Sequence, residues 1–298
     1  MHSTPQQPER KEQTMIIVTG AGGTVGGEVV RQLQSAGAAF RGAYHSESKA
    51  AAARAQGIDA VTLDFNQPES LDAAFRGADK LFLLSGGAPN QVEQESNAVE
   101  AAKRAGVKHI VKLSVIGAAE EWFSFAKMHR AAEKAVEASG LAWTFLRPNG
   151  FMQNMENYSL PTIKSQNAFY SSVGDSKVAH VDVRDIAAVA VKALTGSGHE
   201  GKAYTLTGPS AVSNREIAQA LSESSGRSIN YVDLSDADLR QGLIGSGMPE
   251  DYADAYLDLM RFYRSGDAAI VSDDIRRVTG REPVTFEQYA RERGSAFA

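Results

Sequence analysis

A chain of 298 residues carries 31 Lys and Arg against 36 Asp and Glu, a formal net charge of −5, with 43% hydrophobic and 22% charged residues, the make-up of an ordinary globular protein long enough to bury a sizeable core. The acidic balance gives no electrostatic reason to expect nucleic acid or an anionic membrane as a partner. The lack of cysteine excludes disulfides, thiolate metal sites and a cysteine nucleophile, and it suits a cytoplasmic protein.

Residues 1–14, MHSTPQQPERKEQT, are polar with no apolar signal core, and they read as a disordered extension with Met15 as an alternative start. From Met15 strand and helix signals alternate. MIIVTG is a short β-branched run, and Val25, Val29 and Leu33 then recur at helical spacing until Gly37 stops the helix. AFRGAYH reads as a second strand, AVTLDF as a third and KLFLLSG as a fourth, the last two separated by the short helix ESLDAAFRG. QVEQESNAVEAAKRAG is helical, HIVKLSVIG a strand, SFAKMHRAAEKAVEASG a helix ending at Ser-Gly, and AWTFLRPNG a sixth strand. Apolar strands between amphipathic helices predict a parallel sheet covered on both faces. Right-handed crossovers make it doubly wound, an α/β Rossmann arrangement over 15–150.

Beyond Gly150 the pattern loosens. FMQNMENYSLPTIKSQNAFYSSVGDSK is polar, aromatic and poorly periodic, as a segment beside a substrate would be. HVDVRDIAAVAVKALTG and KAYTLTG read as strands within 178–194 and 202–207 that return to the sheet. Ser213 and Glu216 have capping-box spacing ahead of NREIAQALSESSG. After the strand INYVDLS the chain is mainly helical, and GLIGSG at 242–247 has the glycines of a flap. Residues 151–298 thus make a smaller, discontinuous, mostly α lobe on the substrate side, with no apolar run of bilayer length anywhere in the chain.

The stretch VTGAGGTVGG, between the first strand and the first helix, holds the main chemical signal. Gly20, Gly23 and Gly26 keep a three-residue spacing, and Thr24 and Val25 open the helix. Such a turn lets backbone approach a pyrophosphate seated on a helix N-terminus; a tight turn without a ligand would use the same glycines. The end of the second strand decides the cofactor, because a carboxylate there would bind a ribose 2′-hydroxyl and a cation a 2′-phosphate. His45 and Ser46 stand there, with Arg41 on the same face and Lys49 just beyond, and Glu47 lies past the strand end. That favours NADP(H) over NAD(H), although a neutral histidine beside a serine tolerates either. Asp64 and Phe65 at the third strand's end would meet the adenine, and Leu84, Ser85 and Gly86 would close the fourth strand against the cofactor.

Together TGxxGxxG, the serine of KLSVIG, the helix FAKMHRAAEKAVEASG and the strand WTFLRPNGFMQNM resemble the atypical short-chain dehydrogenases of the NmrA-like group, over most of the chain from Met15. That group includes quinone, azo-dye and triphenylmethane-dye reductases, isoflavone and phenylcoumaran ether reductases, and regulators that bind the dinucleotide without catalysing. The sequence departs from ordinary short-chain dehydrogenases, in which a Tyr-x-x-x-Lys pair supplies the acid: none of the nine tyrosines has lysine four residues later. Alignment on EASGLAWT puts Phe125 at the tyrosine and His129 at the lysine. The resemblance therefore implies that His129 contacts the cofactor and can serve as proton donor, and that Ser114 matches the family's serine.

Asn149, Gly150, Phe151, Met152 and Met155 would wall the site beside the nicotinamide, with Trp122 and Phe125 opposite, although ordinary core packing would use the same residues. His180 and Asp182 are of metal-ligand type but lack a third ligand, so no metal is assigned, and no GxSxG elbow is present. Loss of the Tyr-Lys pair points away from simple ketones and toward electron-poor conjugated acceptors. The chain is read as an NADP(H)-preferring reductase of a small quinone-like, azo or dye acceptor, acting as a monomer or homodimer. A non-catalytic dinucleotide-sensing regulator and an ether or C=C reductase are the alternatives.

Overall fold

β-branched residues and glycine stops produce short strands joined by amphipathic helices. In this computed structural model, which describes residues 14–87 and 90–298, β1 (Ile16–Val18), α1 (Thr24–Ser35), β2 (Phe40–Tyr44), α2 (Glu47–Ala55), β3 (Ala60–Thr62) and α3 (Pro68–Phe75) come first. β4 (Lys80–Leu83), α4 (Gln91–Ala105), β5 (His109–Leu113), α5 (Ser124–Ala138) and β6 (Ala142–Pro148) complete the six expected strands. The expected extension 1–14 lies, but for Thr14, outside the described residues.

The lobe adds α6 (Leu160–Gln166), β7 (Ala168–Ser171), β8 (Lys177–Val178), α7 (Val183–Thr195) and β9 (Lys202–Leu206). It ends with β10 (Val212–Ser213), α8 (Asn214–Ser225), β11 (Asn230–Asp233), α9 (Asp236–Gly245), α10 (Glu250–Ser265), α11 (Asp274–Thr279) and α12 (Phe286–Phe297).

One parallel sheet runs in the order β3-β2-β1-β4-β5-β6-β9, so the direction of winding reverses between β1 and β4. Alternation along the strands feeds two cores. Ile16, Val18, Phe82, Val111 and Leu146 pack with Val29 and Leu33 of α1 and Ile186 and Ala190 of α7. Ile17, Leu81, Leu83, Ile110 and Phe145 pack with Leu71 and Phe75 of α3 and Ala98 and Ala102 of α4. Both faces are therefore dry, which is why these strands read as apolar runs.

Two expectations change. Residues 202–206 do join the sheet, as β9 beside β6, but 178–194 do not. Val183–Thr195 is a helix burying Val183, Ile186, Ala187, Val189, Ala190, Ala193 and Leu194, a helical stripe. Its N-cap, Asp182, accepts a hydrogen bond from the Arg184 amide. Ahead of it Lys177–Val178 pairs with β10 outside the main sheet, and Val181 makes a single parallel bridge to Phe151 just past β6. GLIGSG is likewise helical as far as Gly245. No helix among the described residues is long and apolar enough to cross a membrane.

Candidate active site

The winding reversal between β1 and β4 opens a crevice at the strands' carboxyl ends, where doubly wound sheets bind their ligands. Thr19 at the end of β1 holds its shape. Its hydroxyl lies 3.1 Å from the Phe82 carbonyl and 3.0 Å from that of Leu84, and it accepts from the Leu84 amide at 2.8 Å. The glycine turn follows. Gly20 has φ of 64°, a region that L side chains rarely adopt. A Cβ on Gly26 would stand 2.1 Å from the Gly20 carbonyl oxygen, so only glycine lets α1 fold back on the turn. The N-cap of α1, Gly23, offers no side chain to the first-turn amides, and no acidic residue lies in that turn. This is a cradle whose unspent donors suit an anion. Thr24 at its lip receives the Asn157 amide from the lobe at 3.4 Å.

At the end of β2, His45 is exposed and Ser46 caps α2, accepting from the Lys49 amide. The Lys49 stem lies over Gly22, where a Cβ would sit 3.3 Å from its Cδ, and its ammonium pairs with no carboxylate among the described residues. Arg41 is elsewhere: it is bound to the Asp59 carboxylate at 3.0 Å and turned to the carbonyls of Ala74 and Arg76. Asp64 closes its own turn on the Asn66 amide at 2.9 Å, while half-buried Phe65 packs on the sheet's second core.

Behind the crevice lies a buried polar network that the sequence reading missed. Lys112 of β5 has no exposed surface, and its ammonium is 2.7 Å from Glu95 of α4, itself 1% exposed. Glu95 also accepts from Ser85 at 2.9 Å and Gln91 at 3.1 Å, which ties the expected cofactor loop at Ser85 to the pair. Lys112 reaches the Leu113 carbonyl at 2.9 Å and Nδ1 of His129 at 3.1 Å. Burial first, and then the Lys112 charge, hold the His129 imidazole well below its usual titration range, so at neutral pH it is uncharged. A lysine inside an otherwise apolar central strand was the available signal. The stripe Gln91, Glu95, Ala98 and Ala102 on α4 was its complement.

Ser114 is spoken for. Its hydroxyl donates to buried Glu133 at 2.7 Å, and the same carboxylate takes both arms of the Arg147 fork at 2.9 and 2.8 Å. Burial opposes the Glu133 charge, but the bonds from Arg147 and Ser114 outweigh it and keep the carboxyl below its ordinary range. The hydroxyl at the family's serine position is thus already donated to Glu133.

The expected apolar wall also divides. Met152, 1% exposed, belongs to the lobe's core with Ile163 and Phe169, and Met155 packs on that core. Phe151 packs on the core beneath α1 and α7. Asn149 is buried, its amide donating to the Ala268 carbonyl at 2.8 Å and its oxygen accepting from the Gly150 amide at 2.9 Å. Gly150 in turn gives its carbonyl to the Val181 amide and His180. These residues join lobe to sheet because the turn after β6 is where the chain crosses over.

The aromatic side is open. Trp122, 42% exposed, stands 5.5 Å from Phe262, and half-buried Phe125 stands 5.2 Å from Tyr252 of α10. A pocket of about 430 Å³ lined by Ser246, Gly247, Met248, Pro249 and Tyr252 shares that tyrosine.

Residues 20–197 match the family model described as NAD(P)H-binding. The chain is 41% identical to an NAD(P)H azoreductase of Xenophilus azovorans over 284 residues, 95% of this chain and 99% of the relative. It is 35% identical over 249 residues to quinone oxidoreductase 2 of Escherichia coli, covering 82% and 86% of the two chains. The solved NADPH complex of that Escherichia coli enzyme superposes with a TM-score of 0.84 over 94% of this chain and 99% of that one, at 30% identity. The triphenylmethane reductase of Citrobacter sp. bound to NADP(H) gives 0.81 over 94% and 99%, at 29% identity.

Proposed function

The chain belongs to the NAD(P)H-binding family, in its NmrA-like branch of atypical short-chain reductases, and from that premise we infer that this NAD(P)H-dependent oxidoreductase reduces small quinone, azo or cationic-dye acceptors with NADPH preferred. One observation carries the acceptor class: where carbonyl reductases hold a Tyr-Lys acid pair, this chain holds Phe125 and an uncharged His129. A simple ketone needs a positioned proton donor as hydride arrives, whereas a conjugated electron-poor acceptor spreads the charge over its own π system.

When bound, the nicotinamide supplies the hydride. The residues of this chain bind and orient. Gly20, Gly23, Thr24, Val25 and Gly26 would hold the pyrophosphate, and Lys49, whose stem lies over Gly22, would supply the cation for a 2′-phosphate. Leu84, Ser85 and Gly86 close over the cofactor, His45, Ser46, Asp64 and Phe65 flank its adenosine, and His129 meets the ribose or the acceptor oxygen through a hydrogen bond. Trp122, Phe125 and Tyr252 stack on an aromatic acceptor. The proton that completes the reduction comes from water, since neutral His129 holds none to spare and Ser114 is bound to Glu133.

Loss of nicotinamide absorbance tests this with a naphthoquinone, an azo dye, a triphenylmethane dye and an aliphatic ketone. Turnover of any of the first three without the ketone is expected; tight NADPH binding with turnover of none would instead favour a non-catalytic sensor. Lys49→Glu should weaken NADPH binding roughly tenfold while NADH binding stays within about twofold. Equal losses for both would remove Lys49 from the 2′-phosphate site.

A further inference from the structure

Lys112 has three N–H donors and three neighbours: Glu95 at 2.7 Å, the Leu113 carbonyl at 2.9 Å and Nδ1 of His129 at 3.1 Å. In a site with no exposed surface, the third donor is satisfied only if Nδ1 offers its lone pair. A second donor competes for the ring. The Gln91 amide nitrogen stands 3.3 Å from Nδ1 and 3.4 Å from Nε2, and it also donates to Glu95 at 3.1 Å. The charged and closer lysine wins that competition. An imidazolium would set an N–H against the ammonium.

We propose that Lys112, anchored by Glu95, is the positioning residue for His129: it holds the ring as the neutral tautomer with hydrogen on Nε2 and so makes it a fixed hydrogen-bond donor to cofactor or acceptor. This rests on the reading of His129 as the ligand-facing group of the reductase. Glu95 also bonds Ser85, so the same pair sets the loop after β4 and the ring on α5 in one register. Charged and titratable groups bonded within or against α5 include Glu95 of α4, Lys112 of β5, Arg147 of β6, Arg130, Glu133, Lys134 and Glu137 of α5 itself, and Tyr252 and Asp258 of α10, while Lys127 of α5 is exposed. Glu133 is neutralised by Arg147 and Arg130, and Asp258 caps the start of α5 at Ser124. Among the described residues Lys112 is the one charged group bonded to the ring.

The test is the imidazole nitrogen spectrum of ¹⁵N-histidine-labelled full-length protein. The wild type should show His129 as the Nε2–H tautomer, unchanged from about pH 5.5 to 8, a window in which an ordinary histidine titrates. The double variant Lys112→Met with Glu95→Gln removes both charges together. There the ring should lose its fixed tautomer, with the Nδ1–H form appearing in the spectrum, and its titration midpoint should rise while burial, the larger cause, still holds it below the ordinary histidine range. A wild-type ring protonated on Nδ1 or titrating near 6.5 overturns the proposal, as does a folded double variant with unmoved nitrogen shifts. The wild-type spectrum decides by itself if the variant does not fold. These shifts are read without turnover, so they are independent of the acceptor screen.

Discussion

Gly26 and His109 show how much one side chain can decide here. Adding a single methyl at Gly26 would press it to 2.1 Å from a backbone oxygen, which has no rotamer by which to yield. Gly26→Ala should cost about 1 to 3 kcal/mol by overpacking and abolish NADPH affinity, measured by urea unfolding and by nicotinamide fluorescence; retained affinity would mean that the turn is scaffold alone. His109, 2% exposed, is bonded through Nε2 to Thr144 at 2.9 Å, while Nδ1 has no partner among the described residues. Burial, helped by Lys80, lowers its pKa from 6.5 to about 4. The unfolded chain takes up this proton first as pH falls. The stability is therefore complete above about 6.5 and lost between there and about 4, some ~3 kcal/mol. His109→Gln should flatten that part of the stability profile, and an unchanged slope would show that the buried ring is not its source.

At the scale of elements, local signals were reliable where local forces decide. The capping box at α8 formed as its spacing implied: the Glu216 amide donates to the Ser213 hydroxyl and the Ser213 amide to the Glu216 carboxylate at 2.7 Å. Ser213→Ala should cost ~1 kcal/mol in denaturant unfolding and leave NADPH affinity unchanged; a loss of affinity would show that the lobe and the glycine turn are coupled. Residues 178–194 read as strand because HVDV alternates for four residues, while the helix that follows is built from β-branched and alanine residues. Burial against α1 and the main sheet overrode the poor propensity of valine. β11 forms where INYVDLS reads as a strand, but its partner β7, paired with it away from the main sheet, is blurred by its short length and partly exposed face.

For the whole molecule, the site is made by two parts of the chain meeting. The sheet brings the glycine turn and His129; the lobe brings Tyr252 against Phe125, and Asn157 to Thr24. An aromatic pair of this kind contributes ~1 kcal/mol beyond its buried area. Tyr252→Ala should therefore raise KM for an aromatic acceptor roughly fivefold with kcat nearly unchanged. A fall in kcat at constant KM would place Tyr252 in the chemical step instead.

What the sequence determined by itself was the alternation of six strands and their helices, the glycine turn and the missing Tyr-Lys pair. Each depends on neighbours a few residues apart, whose spacing sets periodicity and turn geometry directly. Only the tertiary structure decided which polar groups meet inside. Lys112 and Glu95 sit 17 positions apart on different elements, Ser114 is claimed by Glu133 and Met152 by the lobe's core. Those pairings follow from burial, which leaves each polar group only the partners that packing brings within reach, and no spacing along the chain encodes that.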